Sequence, residues 1–239
     1  MKRKLIALCL LPILAFAQWE IDFDEDFAAA AAEKPDVLDG LVARWTFETV
    51  TGTNVTDDSG NGNTGALVGG YEIVSGHSGN ALSLTSTPGK MTIDQQNLST
   101  VGAGDWSVTF WVKDRVGVAA TLYGGVCVFD KYGVVNGSAT YLSALMNDAA
   151  TGGWTAPDNS VWTHVSVTKT GSTIACYFDG VLQTENTFYD AGWGMVGLYA
   201  IGVGYNWPTY FFQGTLDDVR IYGRALTGDE SLAIYNATK

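Results

Sequence analysis

Residues 214–226 read GTLDDVRIYGRAL. In an extended strand successive side chains point to opposite faces. Asp217, Val219 and Ile221 then share one face, and Asp218 and Arg220 share the other. The first places a carboxylate among aliphatic side chains, where an unpaired charge is costly and must find a cation or several donors. The stretch therefore predicts a strand of a sandwich core with one inward acid.

The same period-2 texture runs back through the chain. LVARWTFE (41–48) is the first convincing strand, and NALSLT, KMTID, VCVFDKYG, YLSALM, VWTHVSVTK, STIACYFDG, VLQTENTF and GLYAIGVG continue the series. WSVTFWVK (106–113) puts Trp106, Val108, Phe110 and Val112 on one face. Asp179-Gly180 supplies a type I′ hairpin turn. Strands broken by turns every 8–12 residues indicate a sandwich or barrel. Thr227 and Glu230 form a capping box ahead of SLAIYN, which predicts a short C-terminal helix.

Composition agrees. The 239 residues include 29 Gly, 12% aromatics and only 16% charged residues, with a net charge of −12. That length suits one all-β domain. The acidic balance excludes nucleic acid, whose phosphates need Lys and Arg, as a partner. Lys2, Arg3 and Lys4, then LIALCLLPIL, then Ala15-Phe16-Ala17 read as a Sec-type secretory signal over residues 1–17, cleaved after Ala17. Cys9 lies too early for a lipoprotein. No later segment is apolar enough to span a membrane, and the expected location is extracellular or periplasmic. Residues 18–40 form an acidic leader, and the domain occupies 41–239.

From Leu41 to Asn236 the chain resembles a laminin-G-like jelly roll of the concanavalin A-like lectin/glucanase superfamily. LVARWTFE with DDSGNGNTG (57–65), GNALSL (79–84), WTHVSVTK…STIACYFDG (162–180) and GTLDDVRIYGRAL carry the likeness. It implies an all-β, two-sheet antiparallel jelly-roll sandwich. It also implies binding modules more often than enzymes, frequently for glycans or matrix proteins and often with calcium. Fold alone does not fix the ligand.

Two sets of candidate residues follow. Asp57, Ser59 and Asn61, at i, i+2 and i+4, pack oxygen ligands into a loop that Gly60 and Gly62 let bend, echoing half a calcium loop. An Asx-rich turn bonding its own backbone is the alternative. In related sandwiches an Asp resembling Asp217 holds structural calcium. The expectation is one Ca²⁺ tying the Asp57–Asn63 loop to Asp217, with Glu48 as a further ligand. The second set is aromatic: Trp154, Trp193, Tyr205, Trp207 and Tyr210 lie in loop-like sequence and could stack on sugar faces. Cys127 and Cys176 remain after signal removal, and either pair as a disulfide or stay as buried thiols.

QWEIDFDEDF (18–27) is similar to the Glu-x-Asp-x-(x)-Glu strand of laminarinase- and lichenase-type glucanases, whose paired carboxylates sit about 5–5.5 Å apart. Here it precedes the domain's first strand, with nothing before it to form a cleft wall. The middle strands carry no paired carboxylates. The expected function is a secreted, non-catalytic module binding a glycan or surface polymer. A structural or adhesive surface protein is the alternative, and a small glycoside hydrolase of the same superfold is the second.

Overall fold

The computed structural model describes residues 37–84, 88–93, 104–115, 124–129, 132–138, 141–146, 149–155, 157–187, 198–203 and 211–239. Residues 1–36, which hold the expected signal and most of the expected leader, and Trp193, Tyr205, Trp207 and Tyr210 lie outside the described residues. So do the side chains of Cys127 and Trp154.

The described strands are β1 (Leu41–Trp45), β2 (Val50–Thr51), β3 (Asn54–Val55), β4 (Gly65–Gly69), β5 (Glu72–Ser75) and β6 (Asn80–Ser83). Next come β7 (Gly89–Ile93), β8 (Trp106–Lys113), β9 (Gly124–Phe129), β10 (Tyr132–Ser138), β11 (Tyr141–Met146) and β12 (Ala149–Thr155). The series ends with β13 (Thr163–Thr170), β14 (Thr173–Phe178), β15 (Val181–Thr187), β16 (Leu198–Ile201), β17 (Thr215–Tyr222) and the helix α1 (Gly228–Thr238). One sheet runs β15-β14-β13-β8-β17-β6-β5, with β1 also paired to β17. The other runs β12-β11-β10-β9-β16-β7-β4-β3-β2. All pairings are antiparallel among the described strands, and the fold is a jelly-roll sandwich.

Alternation along β8 fixes the layers. Trp106, Val108, Phe110 and Val112 join Trp45, Val165, Val167, Ile174, Cys176, Leu216, Val219 and Ile221 in the core. Ser107, Thr109 and Trp111 face outward yet are buried too. The reason is α1, which lies on this outer face. Ser231 Oγ meets Ser166 Oγ at 3.0 Å, and Trp111 Nε1 donates to Thr238 Oγ1 at 3.0 Å. Tyr222, Leu226 and Ile234 form a second apolar cluster there. The capping box at Thr227 and Glu230 starts the helix as its sequence indicates. Asp179 and Gly180 both have positive φ, as a type I′ turn requires.

Three expectations need correction. Asp217 does not share the core face with Val219 and Ile221. A bulge interrupts β17 between Asp217 and Arg220, with Asp218 at φ 43°. The extra residue reverses the alternation. Leu216, opposite Val112, points into the core, while Asp217, opposite Trp111, lies on the outer face beneath the end of α1. The Cys127–Cys176 disulfide does not form: Cys176 is a free thiol buried in the core, and the two cysteines sit on strands of different sheets. Trp154 is not in a loop, since its backbone belongs to β12 and pairs with Leu142.

Candidate functional site

The Asp57–Asn63 loop spends its oxygens on the first strand. β1 has a bulge of its own at Val42, between Leu41 and Ala43. The displaced carbonyl needs partners. Ser59 Oγ, Asn61 Nδ2 and Asn63 Nδ2 all donate to Val42 O, at 3.1, 3.0 and 2.8 Å, and Asn61 also donates to Leu41 O. Asp57 accepts from the backbone N–H of Arg44, Ser59 and Asn63 at 3.0, 2.9 and 2.7 Å. Gly60 and Gly62, with φ near 80°, supply the left-handed turns. In this geometry the loop is a staple for the β1 bulge.

Asp217 keeps different company. The turn 76–80, closed by Gly76 N–H donating to Gly79 O at 2.8 Å, runs between two carboxylates. Asp217 Oδ2 accepts from Ser78 N at 3.1 Å, and Glu48 Oε1 accepts from Asn80 N at 2.7 Å. A Cβ at Gly76 would lie 2.6 Å from Asp217 Oδ2, and one at Gly79 would collide with the Glu48 carboxylate. Only glycine lets the turn come this close. Asp217 is 2% exposed. Burial pushes its carboxyl up to about 6, although the N–H groups of Ser78, Asp218 and His77 pull the other way.

Asp218, the bulge residue, pairs with two guanidinium groups. Its Oδ1 is 2.7 Å from Arg44 Nε, and its Oδ2 is 2.7 Å from Arg220 Nη2. Burial raises the Asp218 carboxyl. Arg220 and then Arg44 outweigh it and hold it below the ordinary aspartate value.

These groups open on a cleft of about 410 Å³ lined by Arg44, Glu48, His77, Trp111, Asp217 and Asp218, with the turn and the last residues of α1 at its rim. The His77 ring stacks on Trp111, with centroids 3.6 Å apart and planes 11° from parallel. Burial lowers the His77 pKa. Deeper in, His164 meets Trp111 edge-on at 5.3 Å. Burial first, and the Arg220 charge second, lower its pKa to about 3, and its Nδ1 is buried without a partner. Arg44, His77, Trp111 and Asp218 escaped the sequence reading. For Trp111 the signal was there: it alternates with Ser107 and Thr109, opposite the core face.

The structure thus pairs Asp217 with Glu48, whereas Asp57, Ser59 and Asn61 serve β1. No three His, Cys, Asp or Glu side chains converge as a metal site among the described residues. Carboxylate oxygens such as those of Glu48 and Asp217 are the donors calcium takes.

With fold and cleft defined, relatives can be placed. The chain belongs to the concanavalin A-like lectin/glucanases superfamily, whose laminin G model matches residues 85–230. No curated protein matches the sequence. Among solved structures the chain is similar to domain 4 of AbnA, an extracellular GH43 arabinanase from Geobacillus stearothermophilus, in complex with arabinotriose. The identity is 22% and the TM-score 0.61, over 82% of this chain and 98% of that one. It is also similar to Trypanosoma rangeli sialidase (16%, TM-score 0.65, 90% of this chain and 37% of that one). A third likeness is to the binding domain of botulinum neurotoxin serotype D/C (13%, TM-score 0.63, 84% and 53%). At such identities the likeness establishes the fold, a concanavalin A-like sandwich with carbohydrate-binding and glycosidase-related neighbours. No described helix is long and apolar enough to cross a membrane.

Proposed function

We propose that the protein is a secreted, non-catalytic module that binds a glycan or surface polymer, with a calcium ion stabilising the turn between Glu48 and Asp217. The observation that carries the non-catalytic reading is the engagement of every acid in the cleft. Glu48 and Asp217 hold backbone N–H groups of one turn, and Asp218 is ion-paired to Arg44 and Arg220. A glycosidase needs one carboxyl to shuttle a proton and a second to attack or to activate water. Acids tied to the scaffold suit a structural part instead. The likeness to AbnA domain 4, which spans nearly all of that domain and was solved with arabinotriose, supports a sugar ligand. The basic and apolar segment ending at Ala17 supports export.

Glu48 and Asp217 would hold the calcium. Bound there, the ion would neutralise two neighbouring carboxylates and fix the turn. Retention on immobilised polysaccharides, with calcium and with EDTA, tests the function. Binding to at least one glycan without release of reducing ends is the expected result. No retention under either condition would favour the structural or adhesive role, and released sugar would favour the hydrolase.

A further inference from the structure

The oxygen-bearing side chains of the two regions above are engaged: the 57–63 loop holds β1, and the cleft acids hold a turn and two arginines. One region of the outer face differs. Thr168 on β13, Ala175 on β14 and Glu185 on β15 stand directly opposite one another in a row across three strands. Thr170 and Thr173 pair in the next row. With Tyr177 and Leu226 they line a groove of about 300 Å³, at the small end of ligand sites. The Tyr177 ring lies along the start of α1, where Gly228 leaves it room: a Cβ there would sit 3.3 Å from Cε1.

Five polar side chains face this groove: Thr168, Thr170, Thr173, Tyr177 and Glu185. Among the described residues no hydrogen bond engages any of them. Thr168 and Tyr177 are nonetheless buried, at 4% and 8% exposure. Ala175 and Leu226 add apolar surface. Among the described residues no basic side chain lines the groove, so none there offers phosphate, sulfate or uronate a counter-charge.

Building on the glycan-binding reading above, we infer that this groove is a subsite for a neutral oligosaccharide. The threonine hydroxyls both donate and accept, Glu185 accepts from sugar hydroxyls, and the C–H face of the ring rests on Ala175 and Leu226. The same carboxylate repels acidic sugars.

The test titrates the mature chain with arabinotriose, xylotriose, cellotriose and mannotriose, and with trigalacturonate as the acidic probe. Methyl signals of Thr168, Thr170 and Thr173 are followed alongside calorimetry. Glu185→Ala and Thr170→Val alter exposed positions, so both variants should keep the parent melting temperature. Expected are shifts of the threonine methyls with at least one neutral trisaccharide, and an affinity loss of about tenfold in each variant. Unchanged affinity in both variants would overturn the subsite and leave the glycan reading standing. Tighter binding of trigalacturonate would overturn the neutral assignment. Failure of the parent chain to bind any glycan, including the immobilised polysaccharides, would overturn the reading and the subsite together.

Discussion

Arg44 and Arg220 stand directly opposite each other on β1 and β17, and the carboxylate of Asp218 binds both. Like charges in facing positions destabilise a sheet. Arg220 is fully buried, and Asp218 gives it a counter-charge that it shares with Arg44. Asp218→Asn keeps the shape and tolerates the left-handed φ, but removes the counter-charge. Breaking a buried pair on one side costs about 3–5 kcal/mol. The melting temperature should fall on the order of 10 °C, measured by circular dichroism.

Asp57→Ala leaves the N–H groups of Arg44, Ser59 and Asn63 without their acceptor. The expected loss is about 3 kcal/mol in urea unfolding. It should be the same with calcium and with EDTA, because Asp57 acts through the β1 bulge. A loss confined to calcium-containing buffer would return Asp57 to the ion.

Calcium should act through the other pair. At a hundredfold excess over Kd a folded-state ligand adds about 2.7 kcal/mol, which is about 5–10 °C for a domain of this size. Glu48→Gln and Asp217→Asn should each abolish that increment. Identical melting curves in calcium and EDTA for the parent chain would remove calcium from the account.

Two buried groups give opposite pH dependence in metal-free protein. Asp217 titrates near 6 when folded and near the ordinary aspartate value of 3.8 when unfolded. Its protonated form favours the fold, so its contribution is full below pH 4 and is lost as pH rises through 6. His164 titrates near 3 when folded and near 6.5 when unfolded. Its contribution is full above pH 6.5 and declines as pH falls toward 3. Each contributes up to about 1.4 kcal/mol per pH unit within its window. Melting scans from pH 4 to 7 in EDTA should therefore flatten the acid-side loss for His164→Gln. For Asp217→Asn they should remove the acid-side gain.

Cys176 should stay unalkylated in native protein and react only after denaturation, because burial pushes its thiol pKa well up. Peptide mass spectrometry after iodoacetamide treatment checks it. Native labelling would contradict the buried position.

Period-2 alternation made the strands of the outer-covered sheet readable, and the Asp179-Gly180 turn and the Thr227–Glu230 box gave a hairpin and a helix start. What misled was the count along TLDDVRIY. Alternation assumes one residue per step, and the bulge at Asp218 breaks that assumption, so Asp217 landed on the wrong face. A bulge leaves only a weak local mark here, an aspartate that tolerates positive φ. The cleft was half legible. Glu48 and Asp217 were named, but their meeting depends on a glycine turn more than 130 residues from Asp217 in sequence (Ser78 to Asp217 is a separation of 139). Asp57 and its neighbours fit both readings in sequence, because an Asx-rich staple and a calcium loop use the same letters.

β17 is the last strand of the chain and an inner strand of its sheet, flanked by β8 and β6 and touched by β1. Leu41, at the beginning of the domain, pairs with Tyr222 near its end. No assembly order that follows synthesis completes this sheet early. Until Thr215–Tyr222 emerge, β8, β6 and β1 lack their common neighbour, and the long-range contacts that hold them cannot close. A nascent chain of this topology leaves the sheet open until Thr215–Tyr222 have been made. Truncation before Thr215 would remove the middle of the sheet along with its final strand.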